Sequence, residues 1–237
     1  AYQEIARYHR QHLNSLTLIA ITGSNGKTST KEILSQILIQ EYGENQVYAT
    51  KANTNNHIGV PQNLLMLTKE HKFAVIELGS NHPGEIDLLA SISLPDIAII
   101  TSIGPAHLEF FKDLDGVARE KASIFNYLRN NDDKQIAIIP EKILKYDIVK
   151  ESLFKKKHFS FSEDSPNSYI NFTMTSASLK NSEFSLKWNT TNTKTRIVWD
   201  ILGNHQVLNA SAAALCANLL GINQDKISMY LRKCQLT

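Results

Sequence analysis

The run Thr22-Gly23-Ser24-Asn25-Gly26-Lys27-Thr28-Ser29-Thr30 joins a short apolar stretch to a helical one and has the residue types of a phosphate cradle. Gly23 and Gly26 let the backbone curl, so that N–H groups from Gly23 to Ser29 can face an anion. A helix starting near Lys27 adds the positive end of its dipole. Lys27 is then placed to reach the β- and γ-phosphates of a nucleotide, and the Thr28 hydroxyl to coordinate Mg²⁺. The usual loop of this kind has about four residues between its glycines; this one has only Ser24 and Asn25. The plainer alternative is an ordinary strand-to-helix turn that happens to contain Gly-Lys-Thr.

Three further residues could join that chemistry. Glu77 closes the apolar run Phe73 to Ile76. Ligands of parallel sheets sit at the carboxyl ends of strands, and an acid there can hold Mg²⁺ directly or through water. It can equally be a capping or surface glutamate. His107 lies shortly after another apolar run, Ile97 to Thr101, and is a metal ligand or a structural histidine. Lys121 falls on the next helical stretch, where it faces the site or is simply solvated.

The elements that must position these residues alternate. Strands are predicted at Leu16 to Thr22, Val47 to Thr50, Phe73 to Glu77, Ile97 to Thr101 and Gln135 to Pro140. Helices are predicted at Ala1 to Leu13, Lys27 to Gln40, Gly84 to Ser91 and Gly116 to Leu128. Asn81, Pro83 and Glu85 supply a cap, a first-turn proline and a first-turn acid for the helix at Gly84. This alternation predicts an α/β fold, a P-loop-type, mostly parallel sheet flanked by helices. From about residue 156 to 201 the pattern changes to short strands, His158 to Phe161, Tyr169 to Thr175, Glu183 to Trp188 and Thr195 to Asp200, separated by polar turns. That predicts a small appended antiparallel sheet. Helical periodicity returns at His205 to Leu220 and Gln224 to Arg232.

Composition narrows the partners. Lys plus Arg total 25 against 23 Asp plus Glu, a net charge of +2, too balanced to imply nucleic acid or a membrane surface. The basic run Lys155 to Lys157 reads as a solvated turn. No apolar stretch approaches the roughly 20 residues of a membrane span, and Ala1 to Leu13 has no signal-peptide core. Cys216 and Cys234 lack metal-type spacing, and Cys216 reads as a buried reduced thiol. The expectation is a cytoplasmic protein, working as a monomer.

Five ordered segments resemble the Mur ligase family. They are Thr22 to Glu32; Asn53-Thr54-Asn55-Asn56-His57-Ile58-Gly59-Val60-Pro61; Glu77-Leu78-Gly79-Ser80-Asn81-His82-Pro83-Gly84-Glu85-Ile86; Ile103-Gly104-Pro105-Ala106-His107-Leu108-Glu109 through Gly116-Val117-Ala118 to Lys121; and Gly203-Asn204-His205-Gln206-Val207-Leu208-Asn209-Ala210. The first and fourth are similar to Mur ligases generally. The second and third resemble the members that add D-alanyl-D-alanine. In this family the short glycine loop is normal.

The resemblance implies roles for matched positions. Gly23, Ser24, Asn25, Gly26, Lys27, Thr28 and Ser29 hold the phosphates of ATP. Thr28 and Glu77 bind Mg²⁺, His107 binds a second Mg²⁺, and Lys121 corresponds to a carbamylated lysine whose anionic oxygen suits a hard cation. Lys27, Lys121 and His107 form the catalytic set. Asn209 corresponds to an adenine-recognising asparagine, while Gln206 departs from the asparagine usual after the histidine. Asn55 and Asn56 lie where the family approaches its nucleotide-sugar peptide. The implied substrates are ATP, UDP-N-acetylmuramoyl-tripeptide and D-Ala-D-Ala, joined through an acyl phosphate. The implied organisation is a linker helix at 1–14 following an absent N-terminal domain, a central ATP-binding domain at 15–237, and an absent C-terminal domain. A fragment of this kind is expected to be inactive alone. A folylpolyglutamate-synthase-like ligase, a non-catalytic ATP-binding module and a small-molecule kinase are the competing readings.

Overall fold

The computed structural model describes residues 1–129, 135–177, 181–201 and 203–236. Its elements are α1 (Tyr2–Gln11), β1 (Thr17–Thr22), α2 (Lys27–Tyr42), β2 (Val47–Ala49), α3 (Gly59–Leu65), β3 (Phe73–Glu77), α4 (Glu85–Ser93) and β4 (Ile97–Ile100). There follow α5 (Leu108–Phe111), α6 (Leu114–Ala122), β5 (Ile136–Pro140), α7 (Asp147–Ser152), β6 (Lys157–Glu163), β7 (Ile170–Ala177), β8 (Ser182–Trp188), β9 (Thr193–Trp199), α8 (Asn204–Leu219) and α9 (Gln224–Leu231).

Among the described residues, nine strands join one sheet in the order β2-β3-β1-β4-β5-β6-β7-β8-β9. Pairing is parallel from β2 to β7 and antiparallel for β7–β8 and β8–β9. The antiparallel part therefore continues the main sheet, and its boundary differs from the sequence expectation. The strand expected at His158 to Phe161 runs parallel to β5, because α7 provides a crossover between them. Residues 178–180, inside the expected antiparallel range, lie outside the described residues.

Strand side chains alternate between two cores. In β1, Ile19 and Ile21 join the core under α2, α8 and α9, while Leu18 and Ala20 join the core under α1, α3, α4 and α6. A strand buried on both faces reads as the continuous apolar run that made β1 conspicuous. The chain leaves β1 toward β2 and β3 on one side and later builds β4 on the other. The order thus reverses at β1, and the crevice above its carboxyl end is where α/β sheets bind ligands.

Two helices differ from expectation. The stretch Gly116 to Leu128 is not one helix: α6 starts at Leu114 and ends at Ala122, and a 3-10 helix spans Ser123–Tyr127. Asn81 does not cap α4. Gly84 is the N-cap residue and offers no side chain, so the Glu120 carboxylate from α6 accepts the N–H groups of Gly84 and Ile86 instead. Pro83 consequently lies outside the helix. The basic run behaves in two ways: Lys155 turns the chain at φ 61°, and Lys157 opens β6. No helix among the described residues is long and apolar enough to cross a membrane. Cys216 and Cys234 are both buried and free, and burial pushes the Cys234 thiol up to about 12.

Candidate active site

The glycine loop lies between the end of β1 and the start of α2, at the sheet's reversal point. Gly26 is left-handed at φ 85°, and a Cβ there would overlap the Asn209 carboxamide. Gly23 is packed as closely against Thr101 and Ser102 at the end of β4. Those two residues knit the loop in place. Thr101 Oγ1 donates to the Asn25 carbonyl at 2.6 Å, Ser102 Oγ donates to the same carbonyl at 3.0 Å, and Asn25 N–H donates back to Ser102 Oγ at 2.9 Å. Ser24 N–H donates to the Ser102 carbonyl at 3.0 Å.

This wiring divides the loop. Ser24 and Asn25 spend their N–H groups on the protein. Those of Gly26, Lys27, Thr28 and Ser29 make no hydrogen bond among the described residues. They are the open donors of a helix N-terminus, so the second half of the Gly23 to Ser29 run is the half free to receive an anion. An open cavity of about 550 Å³ lies over them, lined by Ser24 to Ser29, Asn53, Asn55 and Glu77. Lys27 Nζ donates to the Gly23 carbonyl at 2.9 Å. Burial pushes its pKa down, and the Glu77 carboxylate partly offsets that.

Glu77 is only 1% exposed, and both carboxylate oxygens are in use. Thr28 Oγ1 donates to Oε2 at 2.9 Å and Asn55 Nδ2 to Oε1 at 2.8 Å, while Glu77 N–H is held by Thr50 Oγ1 at 3.0 Å. The donor set suits Mg²⁺. A hydroxyl and a carboxylate oxygen side by side are the hard oxygen donors that Mg²⁺ takes.

The other expected residues are placed less uniformly. Asn55 belongs to the site through Glu77, but Asn56 does not reach it; its Oδ1 accepts the N–H groups of Ile58 and Gly59 where α3 begins. Asn209 is 5% exposed, lies against Gly26 and donates to Gln206 Oε1 at 3.0 Å. Gln206, the departure from the family pattern, thus holds Asn209. Lys121 is buried, and its Nζ donates to Ser80 Oγ at 2.7 Å. Burial and then the charge of Lys27 push its pKa down to about 8, against opposite pulls from Glu120 and Glu85. His107 is exposed at φ 52°, at the N-cap position of α5. It meets Lys121 only through Phe111, whose ring centroid is 6.5 Å from the His107 ring and 6.0 Å from Lys121 Nζ. Among the described residues no three His, Cys, Asp or Glu side chains cluster at metal-binding spacing.

Sequence reasoning passed over Ser80, Thr50, Thr101, Ser102 and Glu120. Thr101-Ser102, polar residues ending a buried strand, carried a usable signal. Ser80 and Glu120 carried none, because their partners come from other elements. A second cavity, of about 680 Å³, was also unforeseen; Pro140, Phe161, Phe172, His205 and Leu208 help line it at the carboxyl ends of β5 and β6.

The chain is similar to proteins of known family. A family description, Mur ligase middle domain, matches residues 21–217. UDP-N-acetylmuramoyl-tripeptide–D-alanyl-D-alanine ligase of Escherichia coli (strain K12) is 37% identical over 231 residues, covering 98% of this chain and 49% of the relative. A crystal structure of MurF from Acinetobacter baumannii superposes with a TM-score of 0.87 at 33% identity, covering 100% of this chain and 50% of the other. MurF from Thermotoga maritima in complex with ADP has a TM-score of 0.83 over 100% of this chain and 52% of its own, and at 23% identity it shows the shared fold. The chain spans about half the length of these relatives. The glycine loop, the Glu77 cluster and the buried Lys121 fall within the matched range, and the chain belongs to the Mur ligase family.

Proposed function

We propose that this chain is the ATP-binding part of a ligase that adds D-alanyl-D-alanine to UDP-N-acetylmuramoyl-tripeptide, in the cytoplasm and as a monomer. Relatives carrying that name match nearly the whole chain. The observation that carries the chemistry is the Thr28–Glu77 oxygen pair beside four open N–H groups at the start of α2. ADP in the Thermotoga maritima relative supports the nucleotide assignment.

In this reading the N–H groups of Gly26 to Ser29 and the Lys27 ammonium hold the β- and γ-phosphates. Thr28 and Glu77 would hold Mg²⁺, which when bound would supply charge neutralisation for the transferring phosphoryl group. The tripeptide's terminal carboxylate attacks the γ-phosphorus and ADP leaves, giving an acyl phosphate. The amine of D-Ala-D-Ala attacks the acyl carbon, phosphate departs, and the amine's extra proton is lost. The protein contributes alignment and fixed charge. Lys121, whose pKa burial pushes down to about 8, gives up its proton more readily than an ordinary lysine. The neutral amine can add carbon dioxide with loss of one proton, and the resulting carbamate would supply an anionic oxygen for a second Mg²⁺; His107, parted from Lys121 by the Phe111 ring, does not meet it in this arrangement. Asn209 and the cavity beside the first turn of α8 receive the adenine. Asn55 holds Glu77 in place, and Asn56 shapes the adjoining turn toward the nucleotide-sugar peptide.

The test is phosphate release by the full-length protein with each of the three substrates omitted in turn. Release should require all three and fall about 10²–10³-fold or more in Lys27→Ala. Undiminished release in Lys27→Ala, or release without D-Ala-D-Ala, would sink the reading.

A further inference from the structure

We infer that Glu120 is a positioning residue for Lys121, acting by clamping the β3–α4 loop to α6. Neighbouring residues of a helix point about 100° apart, so Glu120 and Lys121 grip separate points. Lys121 Nζ donates to Ser80 Oγ at 2.7 Å. Glu120 uses both oxygens on the far end of the same loop, accepting Gly84 N–H at 2.7 Å and Ile86 N–H at 2.8 Å. Between them the Glu85 carboxylate accepts the N–H groups of Asn81 at 2.6 Å and His82 at 3.0 Å. The near end is fixed too: Gly79 N–H donates to the Asn55 carbonyl at 2.8 Å, beside Glu77.

The loop is therefore the physical link between Glu77 on β3 and Lys121 on α6. Its first half is set by the Glu77 cluster and its second half by Glu120. Glu120 is 5% exposed, and its bonds are to backbone donors at a helix N-terminus, where a carboxylate is favoured twice over. Loosening the far end frees Ser80 and, through it, Lys121. Displacements of about 1 Å in an aligned site can cost about 10²-fold in rate.

This inference rests on the proposed ligase reading, and its test separates the two. In the full-length protein, Glu120→Gln keeps the shape and one acceptor oxygen, while Glu120→Ala removes both. Asn223→Ala is the control: Asn223 caps α9 through Lys226 N–H, far along the chain from this loop. The expected result is a kcat lowered about 10-fold in Glu120→Gln and about 100-fold in Glu120→Ala, with the KM for ATP within about twofold of the parent. Asn223→Ala should leave kcat unchanged. Amide hydrogen exchange adds a reading independent of substrate identity: exchange in Glu120→Gln should quicken at Asn81 and His82, whose N–H groups are bonded next to Ser80, as well as at Gly84 and Ile86. A kcat within twofold of the parent, a matching fall in Asn223→Ala, or exchange quickened only at Gly84 and Ile86 would each make Glu120 a plain helix cap and overturn the inference. A parent protein that releases no phosphate with the three substrates would instead overturn the ligase reading, and the exchange pattern would still decide the clamp.

Discussion

At Gly26 a single hydrogen atom decides whether the loop can exist. Any side chain there meets both a left-handed backbone and the Asn209 carboxamide. Gly26→Ala should cost about 1–2 kcal/mol from the backbone alone, and more from the overlap. Urea unfolding measures that loss, and calorimetry should show weaker ADP binding. Adding Asn209→Ala should return only the overlap part, so a double variant as stable as the parent contradicts the argument. Lys121 offers a second measurement. Its folded pKa is about 8 against an ordinary value of 10.5, so its charge opposes folding. That penalty is fully present below about pH 8, fades as pH rises between 8 and 10.5, and is gone only above 10.5, where both states are neutral. In buffer depleted of carbon dioxide, Lys121→Met should therefore be more stable than the parent at pH 7, by about 1–3 kcal/mol, with the gain shrinking above pH 8. A gain independent of pH would show that packing, not charge, is responsible. Thr28 and Glu77 were legible because each sits where a local rule places it, at a helix start and at a strand's carboxyl end. Ser80 and Glu120 were not, since a loop crossing onto another helix leaves no spacing signature.

At the scale of elements, α1 is anchored more firmly than its polar sequence implies. Ala1 to Leu13 reads as a polar linker helix, yet Arg10 within it is completely buried. Its guanidinium donates to Asp96 Oδ2 at 2.7 Å and to the carbonyls of Leu13, Ser93 and Leu94. Asp96 Oδ2 also accepts Leu18 N–H at 2.8 Å, so one ion pair fastens α1 to the entry of both β1 and β4. Burial pulls the Arg10 pKa down to about 10 in spite of Asp96, a measure of how dry the pair is. Breaking such a pair from one side strands a charge and costs about 3–5 kcal/mol. Arg10→Met should lose that much in urea unfolding, and Arg10→Met with Asp96→Asn should recover a good part of it. If the single variant loses under about 1 kcal/mol, this ion pair is not what fastens α1. Strand positions were readable because burial on both faces imposes unbroken apolar runs. The end of α6 at Ala122 was not, because the apolar spacing of Ile124 and Phe125 continues a helical pattern through the 3-10 turn.

For the whole molecule, the question is whether the antiparallel strands form a module of their own. Their change of pattern near residue 156 suggested an appended sheet, and period-two alternation alone cannot tell an appended sheet from an extended one. The hydrogen bonding shows extension: β6 pairs with β5, and β7 with β6, in parallel. The packing agrees. Trp188, Phe184 and Trp199 belong to the same core as Ile33 and Leu34 of α2 and Leu215 of α8. Trp199 Nε1 donates to the Cys234 carbonyl at 3.1 Å, and Cys234 packs with that core. A shared core without an internal boundary should unfold in one step. The chain's two tryptophans both lie in this region, on β8 and β9, so their emission reports on the antiparallel part alone. Far-ultraviolet circular dichroism reports mainly on the helices around the parallel part. In urea the two signals should give one midpoint for these 237 residues, and ADP should move both midpoints together, because ligand bound at α2 stabilises everything that unfolds with it. Separate midpoints, or a nucleotide shift confined to the dichroism signal, would mean that the sheet is continuous in hydrogen bonding but not in cooperativity.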